Sequence, residues 1–105
     1  MYKRVLLKLS GEQLQGDLPG GFDVKRVAWI AEEIKKVQGD TQIVVMVGGG
    51  NFVRGAEIAG GGINDDSAHN MGMLATVINA IGVGDVFSAN GLPARALSTD
   101  RKSVV

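Results

Sequence analysis

The stretch Gln42-Ile43-Val44-Val45-Met46-Val47-Gly48-Gly49-Gly50 limits what this chain can fold into more than any other. From Ile43 to Val47 the side chains are apolar without alternation, the pattern of a strand buried on both faces of a parallel sheet. Three consecutive glycines follow, so backbone N–H groups can converge on an anion with no Cβ in the way. Asn51-Phe52-Val53-Arg54-Gly55 then brings an arginine. Parallel strands need a crossover between them, and open α/β sheets take their ligands at the carboxyl ends of their strands. A first strand, a covering helix and a second cradle wall are therefore expected.

Lys3-Arg4-Val5-Leu6-Leu7-Lys8-Leu9 reads as that first strand, with Ser10-Gly11-Glu12 as the turn leaving it. Lys8 sits near its carboxyl end. It is either a cation aimed at phosphate, beside the Ser10 hydroxyl and the Gly11 N–H, or a snorkelling edge-strand lysine. Gly16-Asp17-Leu18-Pro19-Gly20-Gly21 is a loop by composition. Asp23 is a candidate N-cap, and Val24, Val27, Ala28, Ala31, Ile34 and Val37 recur at helical spacing until Gly39 stops the run. Glu32 and Lys36 are placed to pair on the outer face. This helix of about fifteen residues fits the right-handed crossover. Trp29 reads as packing rather than as a base-stacking platform.

A second loose segment, from Ala56 to Asp66, precedes a helix capped by Asp65, Asp66 or Ser67 and running to about Ile81. Met71, Leu74, Ala75, Ile78 and Ile81 share one face. Met73, Val77 and Ala80 make the other apolar too, which calls for a neighbour: more chain or another subunit. The two methionines read as packing. Asp85–Ser88 and Ala94–Ser98 read as short strands around a turn. The last leads nowhere, since the chain stops at Val105 with no closing element.

Two familiar phosphate fingerprints fail. A P-loop needs a lysine after its second glycine, but Ala56 and Glu57 follow Gly55. The dinucleotide fingerprint needs glycine six positions in from Gly48, where Val53 stands. Arg54 can grip a phosphate bidentately or serve as a surface ion-pair residue. His69, the single histidine, has no partner at ligand spacing and reads as a surface residue; no metal-ligating set is found. Eleven basic residues balance eleven acidic ones, so no nucleic-acid partner is expected. No run approaches the ~18 apolar residues of a membrane span, and Val5-Leu6-Leu7 is too short for a signal peptide. The absence of cysteine fits a reducing, cytoplasmic compartment.

Three motifs occur in order: Lys8-Leu9-Ser10-Gly11-Glu12, Val47-Gly48-Gly49-Gly50-Asn51-Phe52-Val53-Arg54-Gly55, and Met71-Gly72-Met73-Leu74-Ala75-Thr76-Val77-Ile78-Asn79-Ala80. Together they resemble the bacterial uridylate (UMP) kinases of the amino acid kinase superfamily, over Lys3 to about Ser98. The resemblance implies a three-layer α/β/α sandwich with a mainly parallel sheet, here incomplete, and one domain over residues 1–105. It implies transfer of the ATP γ-phosphoryl group to UMP, with magnesium, in pyrimidine biosynthesis. By position, Lys8, Leu9, Ser10 and Gly11 match the ATP-phosphate segment, with Lys8 the cation of the transfer. Gly50 and Arg54 match the ATP side, Arg54 also at the transfer, and Gly49 matches a UMP contact. Gly16, Asp17, Leu18, Pro19, Gly20 and Gly21 match a loop implicated in GTP activation. The Met71–Ala80 helix matches a subunit interface of family hexamers.

There are two departures. Where most members hold the UMP ribose with an aspartate, this chain has His69. Family chains are also more than twice as long, and their other half carries the rest of the UMP loop and the adenine pocket. The chain is thus expected to be an amino-terminal portion with little activity of its own. The alternative is a non-catalytic nucleotide-binding or oligomerisation module of the same fold.

Overall fold

The computed structural model describes residues 3–52 and 61–96. Strand β1 is Lys3–Leu9, followed by a short helix α1, Gly11–Gln15. Helix α2, Val24–Gln38, leads into strand β2, Thr41–Val47. Helix α3 runs from Asp65 to Ala89. β1 and β2 pair in parallel, with Lys3 opposite Thr41 and Leu9 opposite Val47. The crossover helix is thus where its period placed it. Asp23 caps it by accepting from the N–H groups of Lys25 at 3.0 Å and Arg26 at 3.3 Å, and Gly39 ends it at positive φ.

Both long helices pack on one face of the sheet. Leu14, Val27, Ile30, Ala31, Ile34, Val83, Phe87 and Leu92 form one cluster with Leu9, closed by the part-buried Leu7, Ile43, Val45 and Val47. The side chains between them along the strands, Leu6, Lys8, Val44 and Met46, lie on the opposite face and are exposed. The unbroken apolar run of β2 predicts burial on both faces. Among the described residues only one face is covered, which is the sheet of an incomplete α/β fold.

Several local expectations are corrected. Ser10-Gly11-Glu12 is not a plain turn. Ser10 opens α1 with a capping box, its N–H donating to Gln13 Oε1 at 2.7 Å while its Oγ accepts from the Gln13 N–H at 3.4 Å. Glu32 pairs with Lys35 rather than Lys36, and Glu33 takes Lys36, each at 3.2 Å and i,i+3. Trp29 is exposed, and the Arg26 guanidinium lies 4.7 Å above its ring. At α3 the cap is Asn64, whose Oδ1 accepts from the Asp66 and Ser67 N–H groups. Asp65 and Asp66 fall in the first turn, where negative charge suits the helix dipole.

The largest correction is Asp85–Ser88, which is helix and not strand. α3 runs unbroken through Gly82 and Gly84; a Cβ on Gly82 would meet the Phe22 ring at 2.9 Å, whereas one on Gly84 would make only ordinary contact with Ala96, 3.5 Å from its N. Beyond Ala89 the chain turns back. The Leu92 N–H donates to Phe87 O at 2.9 Å, and Ser88 Oγ is hydrogen-bonded to the backbone of Ala94. Residues 94–96 form no strand, and Leu97 and Ser98 lie outside the described residues. By length and composition alone α3 could cross a membrane. Its packed face, however, includes Asn79, fully buried and hydrogen-bonded to the glycine turn.

Candidate functional site

The two strands end side by side, so the turns leaving them touch. The Gly48 N–H donates to Leu9 O at 3.1 Å, which carries the ladder one step past β2. At Gly11 a Cβ would lie 2.5 Å from the Gly50 N and 2.7 Å from both the Asn51 N and its Oδ1. Only a residue without a side chain lets these backbones approach so closely. The segment Lys8–Gly11 and the turn Gly48–Gly50 are therefore one surface at the carboxyl end of the sheet. Of the predicted residues on these two segments, Gly11, Gly49 and Gly50 lie where the turns meet their neighbours. Lys8 is exposed on the open face beside Met46; Leu9 is buried as part of the core; Ser10 is exposed at the start of α1.

The other wall of the turn is α3. A Cβ on Gly49 would meet Ala75 Cβ at 2.8 Å and Gly72 O and Thr76 N at 3.2 Å. His69 is exposed on the same helix, about one turn nearer its start than Gly72. Arg54 lies outside the described residues. In the loop 16–21, Gly16 and Gly21 have positive φ. Gly16 and Asp17 line a shallow cavity of about 240 Å³ with Glu12, Gln13, Asp23 and Arg26. The glycine turn does not border that cavity. The loop nevertheless reaches the turn at its far end, where the Gly21 N–H donates to Asn51 O at 2.9 Å.

Two residues that sequence reasoning quoted but gave no role hold this junction together. Asn79 Nδ2 donates to Gly48 O at 2.7 Å and to Asn51 Oδ1 at 2.7 Å. Asn51 Nδ2 donates back to Asn79 Oδ1 at 3.0 Å and to Gly21 O at 2.8 Å. The signal in the sequence was an amide inside the apolar run Val77-Ile78-Asn79-Ala80-Ile81, since a buried polar group needs partners. Its partners could not be named from the sequence.

Chemically, the surface offers an exposed ammonium, a hydroxyl and glycine backbone at the ends of two parallel strands. Ammonium, hydroxyl and backbone donors suit an anion; the Glu12 carboxylate lies against the same turn, where a Cβ on Gly50 would meet its Oε1 at 2.9 Å. Among the described residues no three His, Cys, Asp or Glu side chains gather to hold a metal ion.

Comparison with known proteins agrees with this architecture. The profile of the amino acid kinase family matches residues 3–104. A protein named uridylate kinase from Methylococcus capsulatus is 46% identical over 99 residues, covering 93% of this chain and 41% of that one. A uridylate kinase from Phocaeicola vulgatus is 44% identical over 101 residues, covering 95% and 43%. The crystal structure of UMP kinase from Bacillus anthracis superimposes with a TM-score of 0.73 at 37% identity, covering 83% of this chain and 36% of that one. That of UMP kinase from Ureaplasma parvum gives 0.76 at 27% identity, covering 87% and 40%. The chain thus spans about two fifths of the length of the curated relatives it matches. With nearly every residue inside the family match and the strand-end turns meeting as described, the chain belongs to the amino acid kinase family.

Proposed function

We propose that this chain supplies one wall of a UMP kinase site, at which the γ-phosphoryl group of ATP passes to UMP to give UDP. The observation that carries the reading is the contact of Gly11 with Gly50 and Asn51. It puts the Lys8–Gly11 segment and the glycine turn on one surface, where an anion can meet both. In this reading Lys8, Leu9, Ser10 and Gly11 serve the ATP phosphates, with Gly50 and Arg54 on the same side. Lys8 and Arg54 supply positive charge as negative charge builds on the transferred group. Gly49 and His69 face UMP, the imidazole hydrogen-bonding a ribose hydroxyl. Phosphoryl transfer asks mainly for positioning and for charge placed where the oxygens gain it, and the meeting of the two strand-end turns supports that reading. The described residues include no magnesium cage, so the ion would enter held chiefly by the phosphates, as magnesium commonly is. The loop 16–21 would take a GTP effector. The exposed stripe of α3 would join copies of the chain, up to the hexamer implied by the resemblance.

Because the chain covers about two fifths of its relatives, it is expected to bind nucleotide but turn over little alone. Calorimetry with ATP and with UMP, alongside an ADP-release assay, tests this. Binding should weaken about tenfold in Lys8→Ala, the loss of one charge-assisted contact. Failure of both nucleotides to bind would remove the reading, and robust turnover would remove the idea of a single wall.

A further inference from the structure

We infer that Asn51 and Asn79 are positioning residues for the glycine turn, and that they couple its geometry to the loop 16–21. The inference rests on the reading of that turn as a phosphate-binding element. A triglycine turn has a problem of its own. Without Cβ atoms its peptide planes swing easily, and a floppy N–H is a poor anion ligand. Asn79 addresses this at one peptide. It is 0% exposed, at mid-length of α3, and its Nδ2 holds the Gly48 carbonyl at 2.7 Å. In a trans peptide the N–H points opposite to the carbonyl. Pinning Gly48 O toward α3 therefore turns the Gly49 N–H away from the helix.

Asn51 holds Asn79 in turn. The two amides exchange hydrogen bonds at 2.7 and 3.0 Å, and the second Nδ2 hydrogen of Asn51 goes to Gly21 O at 2.8 Å. All four side-chain amide hydrogens are used, and no buried side-chain polar atom among the described residues lacks a partner. Asn51 is 7% exposed, so water competes little for these bonds. The Gly21 N–H donates to Asn51 O at 2.9 Å, which gives the loop a two-point grip on the same residue. A ligand that moves Gly21 must move Asn51, release Asn79 or break two hydrogen bonds. The amide pair is thus a mechanical link between loop and turn.

Hydrogen exchange by NMR on the 105-residue chain tests the link, using Asn79→Leu and Asn51→Asp, which keeps the shape of the side chain. The aspartate still accepts from Asn79 Nδ2 but can donate neither to Gly21 O nor to Asn79 Oδ1, and its charge faces both oxygens. In both variants exchange at the Gly21 amide and at the Phe52 amide, which donates to Gly49 O at 3.0 Å across the turn, should quicken about tenfold, the loss of roughly one hydrogen bond. The amides of the β1–β2 ladder and of α2 should stay within about twofold. Uniform acceleration, or none at Gly21, would overturn the proposal. If either does not fold, the uncharged truncation Asn51→Ala decides. A parallel UMP titration should show about tenfold weaker binding in the variants, and equal binding by parent and variants would also overturn it. Should the parent bind no UMP, the kinase reading fails on its own account, while the exchange pattern still decides the link.

Discussion

An alanine at position 49 would place its Cβ 2.8 Å from Ala75 Cβ, closer than packed carbons allow. The helix must shift or the turn must open. Overpacking of this kind typically costs about 1–3 kcal/mol. Gly49→Ala is therefore expected to lower the melting temperature by several degrees in a thermal scan. Adding Ala75→Gly removes the nearest clash but leaves Gly72 O and Thr76 N at 3.2 Å, so recovery should be partial. Full recovery would show that only the methyl contact matters; no destabilisation in the single variant would show that the turn stands off from α3. Gly11→Ala should be harsher, because its nearest neighbours are backbone atoms of Gly50 and Asn51, which cannot rotate away. At this scale the sequence was partly legible. Three glycines together read as a cradle for an anion; that they also pack against Ala75 and Gly72 on one side and Gly11 on the other comes from elements that only the fold brings together.

Among the elements, α1 depends most on its cap. It has five residues, far below the length at which an isolated helix is stable in water. Leu14 anchors it by full burial in the core, and Ser10 opens it through the reciprocal bonds to Gln13. Ser10→Ala is expected to cost about 1 kcal/mol, or roughly 4–8 °C for a domain of this size. An unchanged melting temperature would mean that Leu14 alone holds the helix. The long elements were readable because their signals are local. Asp23 and Gly39 bound α2 within a few residues of the bonds they make, and β2 ends where Gly48 begins. The end of α3 was not readable. Gly82 and Gly84 look like helix breakers, yet the helix continues through both, and Gly82 makes room for Phe22, a residue distant in sequence. The asparagine pair failed to announce itself for the same reason: its members lie 28 positions apart.

For the molecule as a whole, two of the apolar surfaces left exposed among the described residues make different claims on a partner. One is the open sheet face of Leu6, Val44 and Met46. The other is a stripe along α3, where Leu74, Ile78 and Ile81 are 62%, 53% and 51% exposed and Met71 adjoins them. The apolar pattern of this helix predicts two buried sides. Its inner side is filled by Ala75, Val83 and Phe87, so the outer stripe is surplus to the folding of this chain. Contiguous exposed apolar side chains at helical spacing mark a contact surface. If α3 joins copies of the chain, Ile78→Asp should bury an unpaired charge in that contact and shift sedimentation toward monomer at every concentration tested. The same change on an unpartnered, exposed helix face should leave stability within about 0.5 kcal/mol, so a melting curve run beside the sedimentation separates lost association from lost folding. Met46→Lys serves as the counter-experiment on the open sheet face. If that variant dissociates the chain and Ile78→Asp does not, copies meet through their sheets and the α3 stripe is not their contact. If neither variant changes the sedimentation of an associating chain, both surfaces are excluded as its interface.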